Sequence, residues 1–209
     1  MSVIAKLASS VNRRDEAPNL ELAKQIAKKK DKKAVGELVN NLNNKSKRVQ
    51  NDCIKVLYEI GAINPSLISG YAIEFIALLD SKNNRLQWGV MTAINSITLE
   101  NPKPIYEALA KIVDAADKGS VITRDYGVNI LINLCSLRRY SENAFHLLME
   151  QIMNSPTNQL PMYAERAAPV INENYKKIFV KTLISRLGEI DQEPKRKRIE
   201  KVIKKFTGK

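Results

Sequence analysis

The chain is 209 residues long, with 44% apolar and 27% charged residues and a net charge of +12. A chain of this length and composition can bury a substantial core, and its apolar runs fall short of the roughly 18 residues that a membrane-spanning helix needs. Because Lys6 interrupts the short apolar stretch at the amino terminus, we expect no secretion signal, a cytoplasmic location and no membrane partner.

The positive charge is concentrated at the two ends of the chain. Residues 1–33 carry nine basic and four acidic side chains, residues 195–209 carry eight and one, and residues 34–194 carry 17 of each sign. A basic protein invites comparison with nucleic-acid-binding proteins, whose Lys and Arg side chains contact phosphates. The neutral middle argues against a nucleic-acid channel there, so contact with nucleic acid would use the ends.

Residues 1–31 are predicted to form a less regular helical cap at the amino terminus, which precedes a repeating pattern. Helix-like apolar spacing is expected at 2–12 and 19–30. The repeat that follows has a period of about 37 residues. Polar residues typical of turns and helix caps recur at this interval, at Asn43, Asp80, Asp117, Asn154 and Asp191. Asn-Pro pairs at 64–65 and 101–102 supply a second kind of helix break.

Between the breaks, apolar residues follow the helical period, and no segment alternates as a strand does. Each repeat is predicted to hold a first and a second amphipathic helix of about four turns. The stripes of the second helices are Val49, Cys53, Val56, Leu57 and Ile60, then Leu86, Val90, Ala93, Ile94 and Ile97, then Val128, Leu131, Ile132 and Cys135. The two cysteines lie two repeats apart on these stripes, so we predict buried thiols and no disulfide.

The pattern predicts an all-α fold, an α-α superhelix (α-solenoid) of about five helical pairs behind the amino-terminal helices. A single pair cannot bury its apolar stripe, so successive pairs must stack on one another. We expect one domain over residues 1–209, with repeats at 32–193 and a basic capping helix at 194–209. The pairs are predicted at 32–64, 66–101, 103–138, 140–174 and 175–207.

The segment RVQNDCIKVLYEIG, from Arg48 to Gly61, resembles the second helix of a HEAT repeat, with Cys53 and Leu57 at apolar positions of that motif. The resemblance to the HEAT and armadillo superfamily covers about residues 32–207 and extends to small prokaryotic HEAT-type proteins. It implies a solenoid whose second helices line a concave face, and it implies no particular activity.

One position recurs in the second helices and is mostly followed by a small residue. The equivalent residues are Asn51, Trp88, Tyr126 and Tyr163, followed by Asp52, Gly89, Gly127 and Ala164. A glycine inside a helix costs roughly 1 kcal/mol in helix propensity. We therefore interpret Gly89 and Gly127 as positions where a neighbouring helix packs closely.

The aromatic residues of this set predict a binding groove. Trp88 and Asn95 are seven residues apart, as are Tyr126 and Asn133, so each pair shares a helical face beside the apolar stripe. Rings supply contact area at little entropy cost, and asparagine can donate to and accept from a peptide backbone. The predicted protein- or peptide-binding residues are Trp88, Asn95, Tyr126, Asn133 and Tyr163, with Lys55, Arg85, Arg124 and Arg166 around the edge. The alternative is that the rings only pack against adjacent repeats.

The carboxy-terminal helix PKRKRIEKVIKKF has an apolar stripe and an otherwise basic surface. Its candidate polyanion contacts are Lys195, Arg196, Lys197, Arg198, Lys201, Lys204 and Lys205. These side chains can bind phosphates or an acidic partner, and they equally suit a capping helix with a solvated outer face. The tract KKKDKK at 28–33 allows the same two interpretations.

Residue patterns for catalysis or metal binding are scarce. His146 is the single histidine, expected to be partly buried, and the sequence has no CxxC, HExxH, GxSxG or glycine-rich phosphate loop. We therefore predict no metal, cofactor, small-molecule substrate or enzymatic activity.

The leading hypothesis is a scaffold that binds a protein or peptide segment on the concave face. The alternative is a nucleic-acid-binding protein that uses the basic terminal helices. A helical-repeat DNA glycosylase, with Asp125 beside Tyr126 and near Trp88, is a weaker analogy because the middle of the chain is neutral.

Overall fold

The computed structural model describes residues 2–208, which form twelve α-helices, seven short 3₁₀ helices and no β-strand. The all-α prediction is confirmed. The helices belong to two compact units, one ending at Gly127 and the other beginning at Val128. The expectation of one domain from residue 1 to 209 stays a prediction.

The first unit contains seven complete helices and the start of an eighth. They are α1 (Ala17–Lys29), α2 (Lys32–Asn40), α3 (Lys47–Ile63), α4 (Ala72–Ala77), α5 (Asn84–Ile97), α6 (Pro102–Glu107), α7 (Leu109–Lys118) and the first half of α8 (Val121–Cys135). Asp31 caps α2 by accepting from the backbone N–H of Ala34 at 3.0 Å. The predicted second helices α3 and α5 pack side by side, and α1 packs on α3.

The first helices of the second and third repeats are more broken than the predicted four turns. The helix α4 has six residues and continues into the 3₁₀ helix Leu78–Asp80. In the next repeat, α6 ends at Glu107 and α7 begins two residues later. The third repeat is therefore built from three helices rather than a pair.

The predicted helix at residues 2–12 is wrong, because only Ile4–Lys6 forms a 3₁₀ turn. The physical reason lies in the side chains that take the backbone donors. The N–H of Ala8 donates to Asn19 Oδ1 at 3.0 Å, and the N–H of Ser9 donates to Asp52 Oδ2 at 2.8 Å. These two N–H groups therefore donate to side chains and not to the carbonyls four residues earlier, as they would in a helix. The same bonds fix the segment against α1 and α3.

The second unit contains the rest of α8 with α9 (Ser141–Asn154), α10 (Leu160–Ala167), α11 (Glu173–Arg186) and α12 (Glu193–Thr207). The helix α11 packs on α9, and α12 packs on α10. The ring of Phe145 stacks on Tyr175 with centroids 4.0 Å apart, and Phe179 meets Phe206 edge-on at 5.4 Å. Aromatic pairs therefore join the helices of this unit.

The predicted stripes of α3 and α5 form the core of the first unit. Val56, Leu57 and Ile60 on α3 are inaccessible to solvent, as are Val90 and Ile94 on α5. Nine of the ten predicted stripe residues of α3 and α5 are buried, and Val49, near the start of α3, is half-buried.

The two cysteines are buried free thiols, as predicted. Burial raises the pKa of the Cys53 thiol to about 12, with a smaller contribution from the negative charge of Asp52, and burial also raises the pKa of Cys135 to about 12. At neutral pH both remain protonated, and a protonated thiol is a poor nucleophile. In the described residues, no helix is sufficiently long and apolar to cross a membrane.

Candidate functional site

Two aromatic side chains meet on the surface that α3 and α5 share. The ring of Tyr58 lies 5.8 Å from that of Trp88, centroid to centroid, with the planes tilted by 46°. Both side chains are half-buried, so each exposes part of its ring. Trp88 was predicted and Tyr58 was missed, although Tyr58 follows Asn51 by seven residues, as Asn95 follows Trp88.

A groove of about 450 Å³ opens beside these rings, between α3, α5 and the start of α8. Its lining, which we call the aromatic groove, consists of Tyr58, Glu59, Gly61, Ala62, Pro65, Thr92, Asn95, Ser96 and Tyr126. The predicted residues Asn95 and Tyr126 thus lie together, and both are half-buried. Glu59 is the one charged member of this lining.

Charged side chains form a cluster next to the aromatic groove. Lys55 Nζ lies 2.7 Å from Glu59 Oε1 and 3.1 Å from Glu16 Oε2. The guanidinium of Arg85 pairs with the other oxygen of Glu16. Two predicted edge residues, Lys55 and Arg85, therefore share one carboxylate from the amino-terminal segment.

The environment of Lys55 couples this cluster to the rings. Its side chain is 11% exposed, and Nζ lies 4.8 Å from the centre of the Tyr58 ring. Burial acts to lower the pKa of Lys55, but hydrogen bonds with Glu59, Tyr58 and Glu16 outweigh it and leave the pKa raised. Burial raises the pKa of Tyr58, and Lys55 partly offsets that effect. The amine is therefore charged in a largely desolvated position.

Tyr163 does not belong to an exposed surface, so this predicted contact is wrong. It is inaccessible to solvent and lies on α10 among the equally buried Leu160, Ala164 and Ala167. Its side chain belongs to the core of the second unit because its helix turns this position inward. His146, predicted to be partly buried, is exposed instead.

The remaining predicted edge residues have local partners. Arg124 donates to the backbone carbonyl of Asp117 at 3.0 Å, and Arg166 donates to Asn129 Oδ1 at 3.2 Å. Asn133 lies on α8 in the second unit and is half-buried. Their role in binding a partner stays a prediction.

Several basic residues of α12 make contacts within the protein. Arg198 forms a two-pronged pair with Glu165, Lys197 pairs with Glu193 at 2.6 Å, and Arg196 donates twice to the carbonyl of Ile190. Lys195 also bonds to Asn158. Four of the seven predicted polyanion contacts therefore have partners within the second unit, and three of these partners lie outside α12, which favours the capping interpretation. Nucleic-acid binding by the basic ends stays a prediction.

Groups of three or more His, Cys, Asp and Glu side chains arranged to hold a metal ion do not occur within residues 2–208.

The architecture is similar to solved structures of designed helical-repeat proteins. A designed armadillo repeat protein in complex with the peptide (KR)4 gives a TM-score of 0.69 at 17% identity, covering 90% of this chain and 86% of that one. A computationally designed armadillo repeat protein for modular peptide recognition gives 0.67 at 16% identity, covering 97% of both chains. An engineered protein solved by a structural genomics consortium gives 0.63 at 17% identity, covering all of both chains.

These similarities show the fold, which is all-α and of the armadillo/HEAT helical-repeat type, as predicted. In sequence, no protein-family model and no curated protein matches the chain.

Proposed function

We propose that this armadillo/HEAT-type solenoid is a non-enzymatic interaction protein that binds an extended peptide segment of a partner protein in the aromatic groove. The observation that carries the proposal is the convergence of Tyr58, Asn95 and Tyr126 on one open groove. Partly exposed rings offer apolar contact area from side chains that lose little freedom on binding.

Polar groups beside the rings suit a peptide backbone. The hydroxyl of Thr92 donates to the carbonyl of Trp88 at 2.9 Å, and that of Ser96 donates to the carbonyl of Ala93 at 2.7 Å. Each hydroxyl proton is used within the helix, so the hydroxyl oxygens can take part in further hydrogen bonds only as acceptors. Peptide N–H groups are donors that match them.

The structural neighbours give independent support for this kind of ligand. One is described in complex with the peptide (KR)4, and another as designed for modular peptide recognition. The fold therefore supports peptide binding in other proteins. For this chain, the proposal of peptide binding depends on the residues that line its own groove.

Selection from a phage library of random 12-residue peptides, followed by fluorescence polarisation with the enriched peptides, tests the proposal. Tyr58→Ala and Tyr126→Ala should each weaken binding roughly tenfold, the usual effect of truncating an aromatic anchor. Tyr106→Ala is the matched control, since Tyr106 is a half-buried aromatic residue on α6 of the same unit, outside the groove lining.

Trp88 provides a second readout because it is the only tryptophan in the chain and lies 5.8 Å from Tyr58. A peptide seated in the groove should change its fluorescence with the same affinity that polarisation reports. If no peptide is enriched, or if the enriched peptides bind the Tyr58 and Tyr126 variants as tightly as the wild type, the aromatic groove is not the binding site.

A further inference from the structure

We infer that Lys55 and Arg85 form a carboxylate-binding subsite beside the aromatic groove, held in the free protein by Glu16 and entered by an acidic residue of the partner segment. The inference rests on the proposed function and deepens it by naming a chemical requirement of the partner. It also adds a role for the amino-terminal segment, whose Glu16 competes with the partner for the subsite.

The subsite already binds a carboxylate with both of its oxygens. Glu16 Oε2 lies 3.1 Å from Lys55 Nζ, and Glu16 Oε1 accepts from the Arg85 guanidinium. The two cations come from successive second helices, α3 and α5, which pack against each other and fix their spacing. A carboxylate of any chain that reaches this point meets the same pair of donors.

Removing Glu16 leaves a cationic position that attracts another anion. Lys55 keeps its contact with Glu59, whereas Arg85 loses the carboxylate of Glu16 with which it pairs. The Lys55 side chain is 11% exposed, so its charge is less screened by water than that of a surface lysine. A carboxylate of the partner that binds in place of Glu16 therefore stabilises the subsite.

Exchange requires a side-chain rotation and leaves the backbone in place. Glu16 is the N-cap residue of α1, and its carbonyl accepts from the N–H of Leu20 at 3.0 Å. The residues on either side of Glu16 are held by Asp52, which accepts from Ser9 N–H and from Asn19 Nδ2, each at 2.8 Å. The Glu16 side chain itself is 40% exposed, so solvent and ligand can reach it.

The subsite is continuous with the aromatic groove through one ring. Lys55 Nζ lies 4.8 Å from the centre of Tyr58, which lines the groove. A peptide whose apolar or aromatic side chain lies against Tyr58 therefore brings a neighbouring Asp or Glu within reach of Lys55 and Arg85. The partner segment that fits combines such a residue with an acidic one.

Fluorescence polarisation with labelled octaglutamate, and with octaglutamine as the uncharged reference, tests the subsite. Glu16→Gln should bind octaglutamate roughly threefold to tenfold more tightly than the wild type at low salt, and the gain should shrink at high salt. Asp15→Asn is the matched control: it changes the net charge equally, but Asp15 pairs with Arg13 at 2.8 Å. Its amide also retains an oxygen for the N–H of Ala17.

Arg85→Met in the Glu16→Gln background should abolish the gain, and Arg85→Lys, which keeps the charge, should retain part of it. If Asp15→Asn gains as much as Glu16→Gln, net charge is the cause and the subsite is refuted. If Glu16→Gln binds no more tightly than the wild type, Glu16 is a structural ion pair only. The groove test with Tyr126→Ala and selected peptides has an outcome that does not depend on these octaglutamate titrations, because Tyr126 lines the groove and is not part of the subsite. Loss of the aromatic groove and loss of the subsite are therefore distinguishable.

Discussion

Gly89 on α5 faces Ile54 on α3 so closely that a Cβ atom at residue 89 would lie 2.8 Å from Cγ1 and 2.9 Å from Cγ2 of Ile54. Gly127 is similar, since a Cβ atom there would lie 2.7 Å from the Cβ atom of Ala116. Contacts this short force the neighbour to move. Both glycines therefore have the close-packing role that the sequence predicted.

Gly89→Ala should destabilise the protein by about 1–3 kcal/mol, because the cost of overpacking exceeds the roughly 1 kcal/mol gained in helix propensity. Urea denaturation followed by circular dichroism measures the difference. Gly70→Ala is the control, as a Cβ atom at Gly70 meets nothing within 4 Å. Equal stabilities of the two variants would show that the Ile54 contact does not limit the size of residue 89.

A double-mutant cycle separates this contact from other effects. Ile54→Ala alone should cost about 2–5 kcal/mol through the cavity it leaves. In the double variant the alanine at residue 89 no longer meets the isoleucine side chain, so the loss should be smaller than the sum of the two single losses.

Replacement of Arg186 in the second unit should lower the stability of the protein strongly. Its side chain is 7% exposed and donates to the carbonyls of Ile152 and Ser155 at 2.9 Å each and to that of Met153, where α9 ends. Arg186→Met leaves these acceptors without their donor, so we expect a loss of about 2–4 kcal/mol by urea denaturation.

Arg186→Lys keeps the charge but not the planar fork, so its loss should be intermediate. Arg138→Met, at an exposed position of the same unit, should change stability by no more than about 0.5 kcal/mol. If Arg186→Met behaves like this control, the guanidinium does not stabilise the end of α9.

Periodic spacing was sufficient to predict α3 and α5 and most of the core that they form, since burial there follows directly from one side of each helix facing its neighbours. It was not sufficient for Tyr163, which was aligned with Trp88 on the assumption that equivalent positions have equivalent surroundings. Tyr163 is inaccessible to solvent, whereas Trp88 is half-buried. The position of a residue within a repeat therefore does not by itself predict the exposure of its side chain, which also depends on how the neighbouring helices pack.

The charged cluster beside the aromatic groove could not be predicted from local patterns. Glu16 meets Arg85, 69 residues away, and Asp52 bonds to Asn19 and to the backbone of Ser9. Such contacts depend on how the amino-terminal segment packs across α3. The repeat pattern of the sequence gives no information about this packing. Tyr58, in contrast, was recognisable as the counterpart of Asn95 in the first repeat.

Asp52→Ala should loosen the amino-terminal segment without unfolding the helices. The carboxylate of Asp52 accepts from Ser9 N–H and Asn19 Nδ2, and Asn19 is buried. Without these bonds the segment should open more often, so limited trypsin digestion should cleave after Arg13 and Arg14 several-fold faster. Asp114→Ala, which removes an exposed carboxylate paired with Lys118, is the charge-matched control. Equal digestion rates would place the anchor of the segment elsewhere.

The ion pair between Glu165 on α10 and Arg198 on α12 should stabilise the protein to an extent that depends on pH. The hydrogen bond from Arg198 lowers the pKa of Glu165, and the same pair raises the pKa of Arg198. Because the folded-state pKa of Glu165 is lowered, its stabilisation is complete above the unfolded-state pKa, near 4.3, and is lost as the pH falls through the folded-state value. The side chains are 42% and 45% exposed, so the contribution should stay below about 1 kcal/mol.

Urea denaturation of the wild type and Glu165→Gln at pH 7, 5 and 3 measures this contribution. The variant should be less stable at pH 7 and should approach the wild type as the pH falls, because the wild-type carboxyl then becomes protonated. Glu150→Gln, at an exposed position of α9 in the same unit, should show no such convergence. A difference between Glu165→Gln and the wild type that is the same at pH 3 and pH 7 would mean that packing, and not the charge pair, joins α10 to α12 at this point.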